Sequence, residues 1–213
     1  MVPLFSPDSP LMRGLTRLAD VMILNLLFIL AALPIVTIGA ALTALNFTAL
    51  RIGNGECNTV TGDFIRSFRR NFRQGTLIAL LLAGFCAVLA AWYVILPNLP
   101  FGTGLNFALL IAWYVLAFSF ATTAIFVFPY LAQFDGTTRE VLRNARLLSW
   151  KHPLTALGAL GLCAVSLAVT LLAPAATGYG LFWLLFGFAG IATANGFLFT
   201  RIFRPLIAAA TAH

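Results

Sequence analysis

The chain has 213 residues, of which 61% are apolar and 9% charged, against roughly 25% charged in an ordinary soluble domain. That composition excludes a water-soluble fold. The net charge of +7 would suggest nucleic acid as the partner of a soluble chain. Here every Lys and Arg flanks an apolar run, so the excess is read as membrane orientation, and no nucleic-acid partner is expected.

Residues 9–19 begin with Ser9 and Pro10 as a helix start, then place Arg13 and Arg17 four apart and Leu11, Leu15 and Leu18 on a second stripe. The apolar stretch 20–50 follows, split by Pro34. At ~1.5 Å per residue the apolar part before the proline reaches only ~20 Å, short of the ~30 Å hydrocarbon core. Three readings fit: two spans, the first borrowing length from the basic segment before it; a shallow re-entrant hairpin; or one kinked span. Arginines on both sides favour an even number of crossings. Asp20 abutting the run, and the apolar residues continuing past Pro34, argue against a cleaved signal peptide.

In residues 63–74, Phe64, Phe68 and Phe72 share one helical face, and Arg66, Arg69, Arg70 and Arg73 the other. The spacing predicts an interfacial helix with rings in the acyl boundary and guanidiniums at lipid phosphates. Residues 75–96 and 104–132 are then free of charged side chains and long enough to span. Thr137 and Glu140 have capping-box spacing for a second basic helix, 137–151, with Arg139, Arg143 and Arg146 opposite Val141, Ala145 and Leu148. Two more uncharged runs, 153–173 and 181–200, complete the set.

Three turns share Pro-x-x-Thr followed by glycine: Pro34, Thr37 and Gly39; Pro100, Thr103 and Gly104; Pro174, Thr177 and Gly178. Proline ends the preceding helix, glycine permits the reversal, and the threonine hydroxyl is expected to cap the next helix. The unit of basic helix, span, turn and returning span thus occurs three times. The expected fold is an all-α polytopic membrane helical bundle with six crossings. It forms one membrane domain over 1–213, built as three hairpins (20–50, 75–132, 153–200) with short basic interfacial helices (9–19, 63–74, 137–151). The positive clusters and both termini are placed on the cytoplasmic side, and the uncharged turns outside.

Chemistry-bearing residues are sparse. Cys57, Cys86 and Cys163 show no metal-ligand spacing, and His152 and His213 read as an interfacial residue and a terminal one. No nucleophile and base pair, carboxylate pair or phosphate-binding glycine loop can be assembled, so neither catalysis nor a cofactor or metal is expected. The polar residues within the spans, among them Ser119, Thr122, Thr123, Ser166, Thr170 and Thr193, read as interhelical hydrogen-bonding groups. Asn25, Asn46 and Asn195 additionally suggest a polar cavity for a neutral solute.

The run Leu33-Pro34-Ile-Val-Thr37-Ile-Gly39, then Ala44-Leu45, and then Phe64-x-x-Ser-Phe68-x-x-Asn71-Phe72-x-Gln74 resembles the YesL-like family of bacterial integral membrane proteins (domain of unknown function 624). The resemblance covers the order of elements along nearly the whole chain. It implies residence in the bacterial cytoplasmic membrane and an accessory role beside a carbohydrate-uptake system, and it supplies no catalytic residues. The expected partners are the lipid bilayer and a membrane transporter or cytoplasmic protein, docked on Arg66, Arg69, Arg70, Arg73, Arg139, Arg143 and Arg146. Two other readings stand beside this one: an independent transporter or channel for a small neutral solute, and an intramembrane enzyme acting through hydroxyl and backbone groups.

Overall fold

A computed structural model describes residues 10–100 and 102–211; Ser9 and His213 lie outside them. Among the described residues the chain forms seven α-helices and no strand. Helix α1 spans Pro10–Ala32, α2 Ile38–Asn54, α3 Val60–Ile95, α4 Thr103–Gln133, α5 Thr138–Lys151 and α6 Pro153–Leu172. A π-helical turn, Trp183–Gly187, leads into α7, Phe188–Thr211. Six of these, α5 excepted, are long and apolar enough to cross a membrane. Large apolar side chains such as Leu154, Val165, Leu171 and Leu172 face outward, which suits helices solvated by lipid.

The ambiguity over residues 20–50 resolves into two helices. The basic segment before Val21 is not a separate interfacial element. It supplies the first turns of α1, whose 23 residues reach ~35 Å at ~1.5 Å each. Pro34 then ends the helix, because the ring disfavours helical geometry at Leu33, and Ile35–Thr37 form one tight turn into α2. The second basic segment, 63–74, is likewise the start of the 36-residue α3. A change from charged to apolar side chains leaves the backbone hydrogen bonding untouched, and nothing else in the sequence interrupts the helix.

Only the third basic segment stands alone. Thr137 caps α5 as expected: its backbone N–H donates to Glu140 Oε2 at 2.8 Å, and Glu140 N–H donates to Thr137 Oγ1 at 3.4 Å. Val141, Ala145 and Ser149 are buried, and Asn144 donates to the Tyr130 hydroxyl at 2.9 Å, so α5 runs back along α4. His152 closes α5, and Pro153 starts α6.

The turn threonines act differently from the expected caps. Thr37 Oγ1 donates to the carbonyls of Ala31 and Pro34 at 2.5 and 2.7 Å, and Thr177 Oγ1 donates to Pro174 at 2.9 Å. Each hydroxyl ties the turn to the chain behind it. The middle copy departs from both: Gly102 caps α4, and Thr103 is its first helical residue. The glycines diverge too. Gly178 has φ +57°, a left-handed conformation that favours glycine, whereas Gly39 and Gly104 are helical.

Helix α2 is the centre of the bundle, packed against α1, α3, α4 and α7. Its buried residues are mostly small, including Gly39, Ala40, Ala41, Ala44 and Ala49, which lets neighbouring backbones approach. One cluster around Leu24, Phe28, Leu45 and Phe64 joins α1, α2 and α3. A second around Ile78, Phe126, Val141 and Phe199 joins α3, α4, α5 and α7.

Candidate functional site

Two places concentrate polar chemistry: the arginine-rich end of the bundle and a cavity among the spans. At the arginine-rich end, the start of α3 meets the α4 to α5 turn. Gln74 Nε2 donates to Gly136 O at 2.8 Å, and an Arg70 terminal nitrogen lies 3.5 Å from Ala132 O. The Arg70 and Arg51 guanidiniums each lie 5.7 Å from the Phe47 ring centre, a cation-π range. These bonds bring Arg66, Arg69 and Arg73 of α3 to the same end as Arg139 and Arg143 of α5.

The phenylalanine face of this segment does not lie in lipid as expected. Phe64 is buried, Phe68 is half-buried and only Phe72 is exposed, because α3 turns this face toward α1 and α2. The same face carries Asp63. Its carboxylate is buried, 2.9 Å from Arg51 Nε and 3.7 Å from an Arg66 terminal nitrogen. The available signal was its register with Phe64, Ser67 and Asn71, all on the buried stripe. Cys57, in the loop between α2 and α3, has its thiol pushed up to about 11, first by burial and then by the Asp63 charge.

Asn25, Asn46 and Asn195 do not form a single polar cavity. Asn25 is fully buried and its amide is spent on the π turn. Its Nδ2 donates to the carbonyls of Trp183 and Leu184 at 2.9 and 2.8 Å, and its Oδ1 accepts from Ala189 N–H at 2.9 Å. A π turn breaks the regular i to i−4 pattern of the helix around it, and one asparagine can donate two bonds and accept others. The Trp183 ring lies over Gly187, where a Cβ would overlap it, and its Nε1 donates to Thr170 Oγ1 at 2.8 Å.

Asn46 and Asn195 do share a cavity, of about 470 Å³, between α2, α4, α6 and α7. Its walls are otherwise largely apolar, with Leu45, Phe128, Cys163, Trp183 and Phe188 among them. Asn46 Nδ2 is occupied by Leu42 O at 2.8 Å. Among the described residues, Asn195 Nδ2 has only the Cys163 sulfur at 3.9 Å, and its Oδ1 is buried without a hydrogen-bond partner. The volume is within the ~300–1,000 Å³ range of small-molecule sites. Most serine and threonine hydroxyls in the spans donate to a carbonyl of their own helix, as in Thr122 to Phe118, Ser166 to Leu162 and Thr193 to Ala189. They satisfy themselves locally rather than bridging helices as expected.

Arg146 is set apart from the other arginines of the predicted docking surface. It lines a groove between α3 and α4 beside Leu82, Phe85 and Ser119. Among the described residues, no group of three or more His, Cys, Asp or Glu side chains converges in a way that could hold a metal.

The stretch that contains the Asp63 pair, the small-residue face of α2 and the Asn25 amide is also the stretch that matches a known family. Residues 21–93 match the family described as "Protein of unknown function, DUF624". The matched segment runs from Val21 of α1 through α2 to Tyr93 of α3, about a third of the chain. No curated protein matches the chain, and no solved structure does.

Proposed function

We propose that this protein is a non-catalytic accessory subunit of a membrane assembly, docked through its arginine-rich end on the cytoplasmic side of a bacterial cell membrane. One observation supports the reading: Arg70 and Gln74 of α3 hydrogen-bond the end of α4 and the turn before α5, which draws two arginine-bearing segments far apart in sequence toward one end of the bundle. Among the described residues, Arg69, Arg73, Arg139 and Arg143 have no carboxylate within ion-pairing distance. A partner that presents an acidic face would complete them. The resemblance to YesL-like proteins supports a carbohydrate importer as that partner. Replacing Arg66, Arg69, Arg70 and Arg73 by Gln should release the partner from material extracted under mild conditions. Unchanged co-purification would refute docking through this end.

A second reading, an independent carrier of a small neutral solute, is favoured by the unpartnered Asn195 Oδ1 in the cavity shared with Asn46. The largely apolar walls suit a guest with one or two polar groups better than a sugar, whose many hydroxyls would be left unsatisfied there. Purified protein in liposomes that moved a diol or a monohydric solute without a partner would establish it. Absence of flux with Asn195 intact would remove it.

A further inference from the structure

We propose that the groove between α3, α4 and α5 is a binding site for one anionic phospholipid, with its phosphate on Arg146 and an acyl chain along the two spans. The groove measures about 420 Å³ and is walled by Leu81 and Phe85 of α3 and by Leu116 and Phe120 of α4. Leu81, Phe85 and Leu116 are each between 42% and 49% exposed, so the groove opens on the flank of two apolar spans, the surface that lipid solvates in a membrane-crossing helix. A second hollow, lined by Ser119, Arg146, Leu147 and Trp150, continues from it. Arg146 and Ser119 line both, so the guanidinium stands where the two meet.

The position of that charge is what calls for an anion. Leu81 lies eight residues beyond Arg73, the last charged side chain of α3, or ~12 Å along the helix at ~1.5 Å per residue. Ser119 is a similar or greater distance, ~21 Å by the same rise, from the end of α4 at Gln133. Arg146 therefore faces the uncharged lengths of both spans, where an arginine without a counter-charge is expensive. No carboxylate answers it: among the described residues the ion pairs all converge on Asp63. A phosphate diester supplies the charge and bidentate acceptors for the guanidinium, Ser119 offers a hydroxyl beside it, and the apolar walls take a hydrocarbon chain.

The test uses the full chain, purified in mild detergent, stripped of lipid and titrated with phosphatidylglycerol, phosphatidylcholine or soluble glycerol phosphate, with adducts counted by native mass spectrometry. Phosphatidylglycerol should be retained at least tenfold better than phosphatidylcholine, and glycerol phosphate should not be retained. Arg146→Gln should abolish the preference, and Arg146→Lys should keep part of it. Arg69→Gln with Arg73→Gln should leave it unchanged. Leu116→Trp, which fills the groove but keeps the charge, should also lose the lipid, and it decides the matter if Arg146→Gln does not fold. Equal retention of both lipids, binding of glycerol phosphate alone, or a preference that survives both Arg146→Gln and Leu116→Trp would overturn the proposal.

Discussion

Gly39 of α2 and Gly75 of α3 meet backbone to backbone. A Cβ on Gly39 would overlap the Gly75 carbonyl, and one on Gly75 would lie 3.0 Å from Ala40 N. The two helices cross at this point because neither carries a side chain there, and the basic start of α3 is thereby held against the body of the bundle.

Gly39→Ala should consequently be costly. The group in the way is main chain in the middle of a helix, which cannot rotate aside, so the loss should be at or above the top of the ~1–3 kcal/mol range for overpacked cores. Gly84→Ala, where nothing lies within 4 Å of the added carbon, should be neutral or gain up to ~1 kcal/mol from helix propensity. Unfolding in detergent micelles, followed by circular dichroism, would measure both; equal effects would show that the crossing has no such close approach.

Asn25→Leu removes three hydrogen bonds to the π turn while keeping similar volume. Leaving buried carbonyls and an N–H unpaired costs ~1–3 kcal/mol each, part of which is recovered if the turn relaxes to α-helix. That relaxation would rotate the residues before the turn by about 100° relative to those after it and carry Trp183 away from Thr170. The expected result is a destabilised protein with altered tryptophan fluorescence, and a wild-type spectrum would contradict it.

The Arg51 and Asp63 pair should respond asymmetrically. Asp63 is 4% exposed and Arg51 27%, so Arg51→Gln leaves a buried carboxylate whose remaining cation is the more distant Arg66, while Asp63→Asn leaves an arginine that can turn to water. About 2–4 kcal/mol is expected for the first, toward the cost of breaking a buried pair, and clearly less for the second. A double-mutant cycle on thermal stability tests this ordering.

Cys57 gives a pH signature. With its thiol held to about 11 against an ordinary 9.0, little thiolate exists at pH 8, and alkylation there should be roughly a hundredfold slower than for an unperturbed exposed thiol. The unfolded thiol ionises first as pH rises, so the stability tied to this group is intact below about 9 and is lost on passing through about 11. Asp63→Asn should speed labelling only in part, because burial is the larger cause. Labelling followed by mass spectrometry in a Cys86→Ser, Cys163→Ser background reads the rate.

The spans were legible because apolar length and proline report a bilayer crossing directly, and the capping box at Thr137 and Glu140 because capping is local. Helix continuity through the arginines of α1 and α3 was not, since a shift in side-chain polarity marks an interface without breaking a backbone. Asn25 could not be read at all: its partners lie near residue 183, in a π turn with no distinctive composition. Asp63 was within reach, four residues ahead of Ser67 and eight ahead of Asn71 on one buried stripe, but a lone carboxylate among arginines reads as surface charge until the stripe is known to face inward.

Helix α3 runs unbroken for 36 residues, ~54 Å at ~1.5 Å each, and crosses α2 at Gly75. It is a lever with its pivot at that crossing. Anything that pulls the arginine-bearing arm sideways must swing the other arm, which carries Tyr93 and, through the Leu89 carbonyl, Trp113, the opposite way.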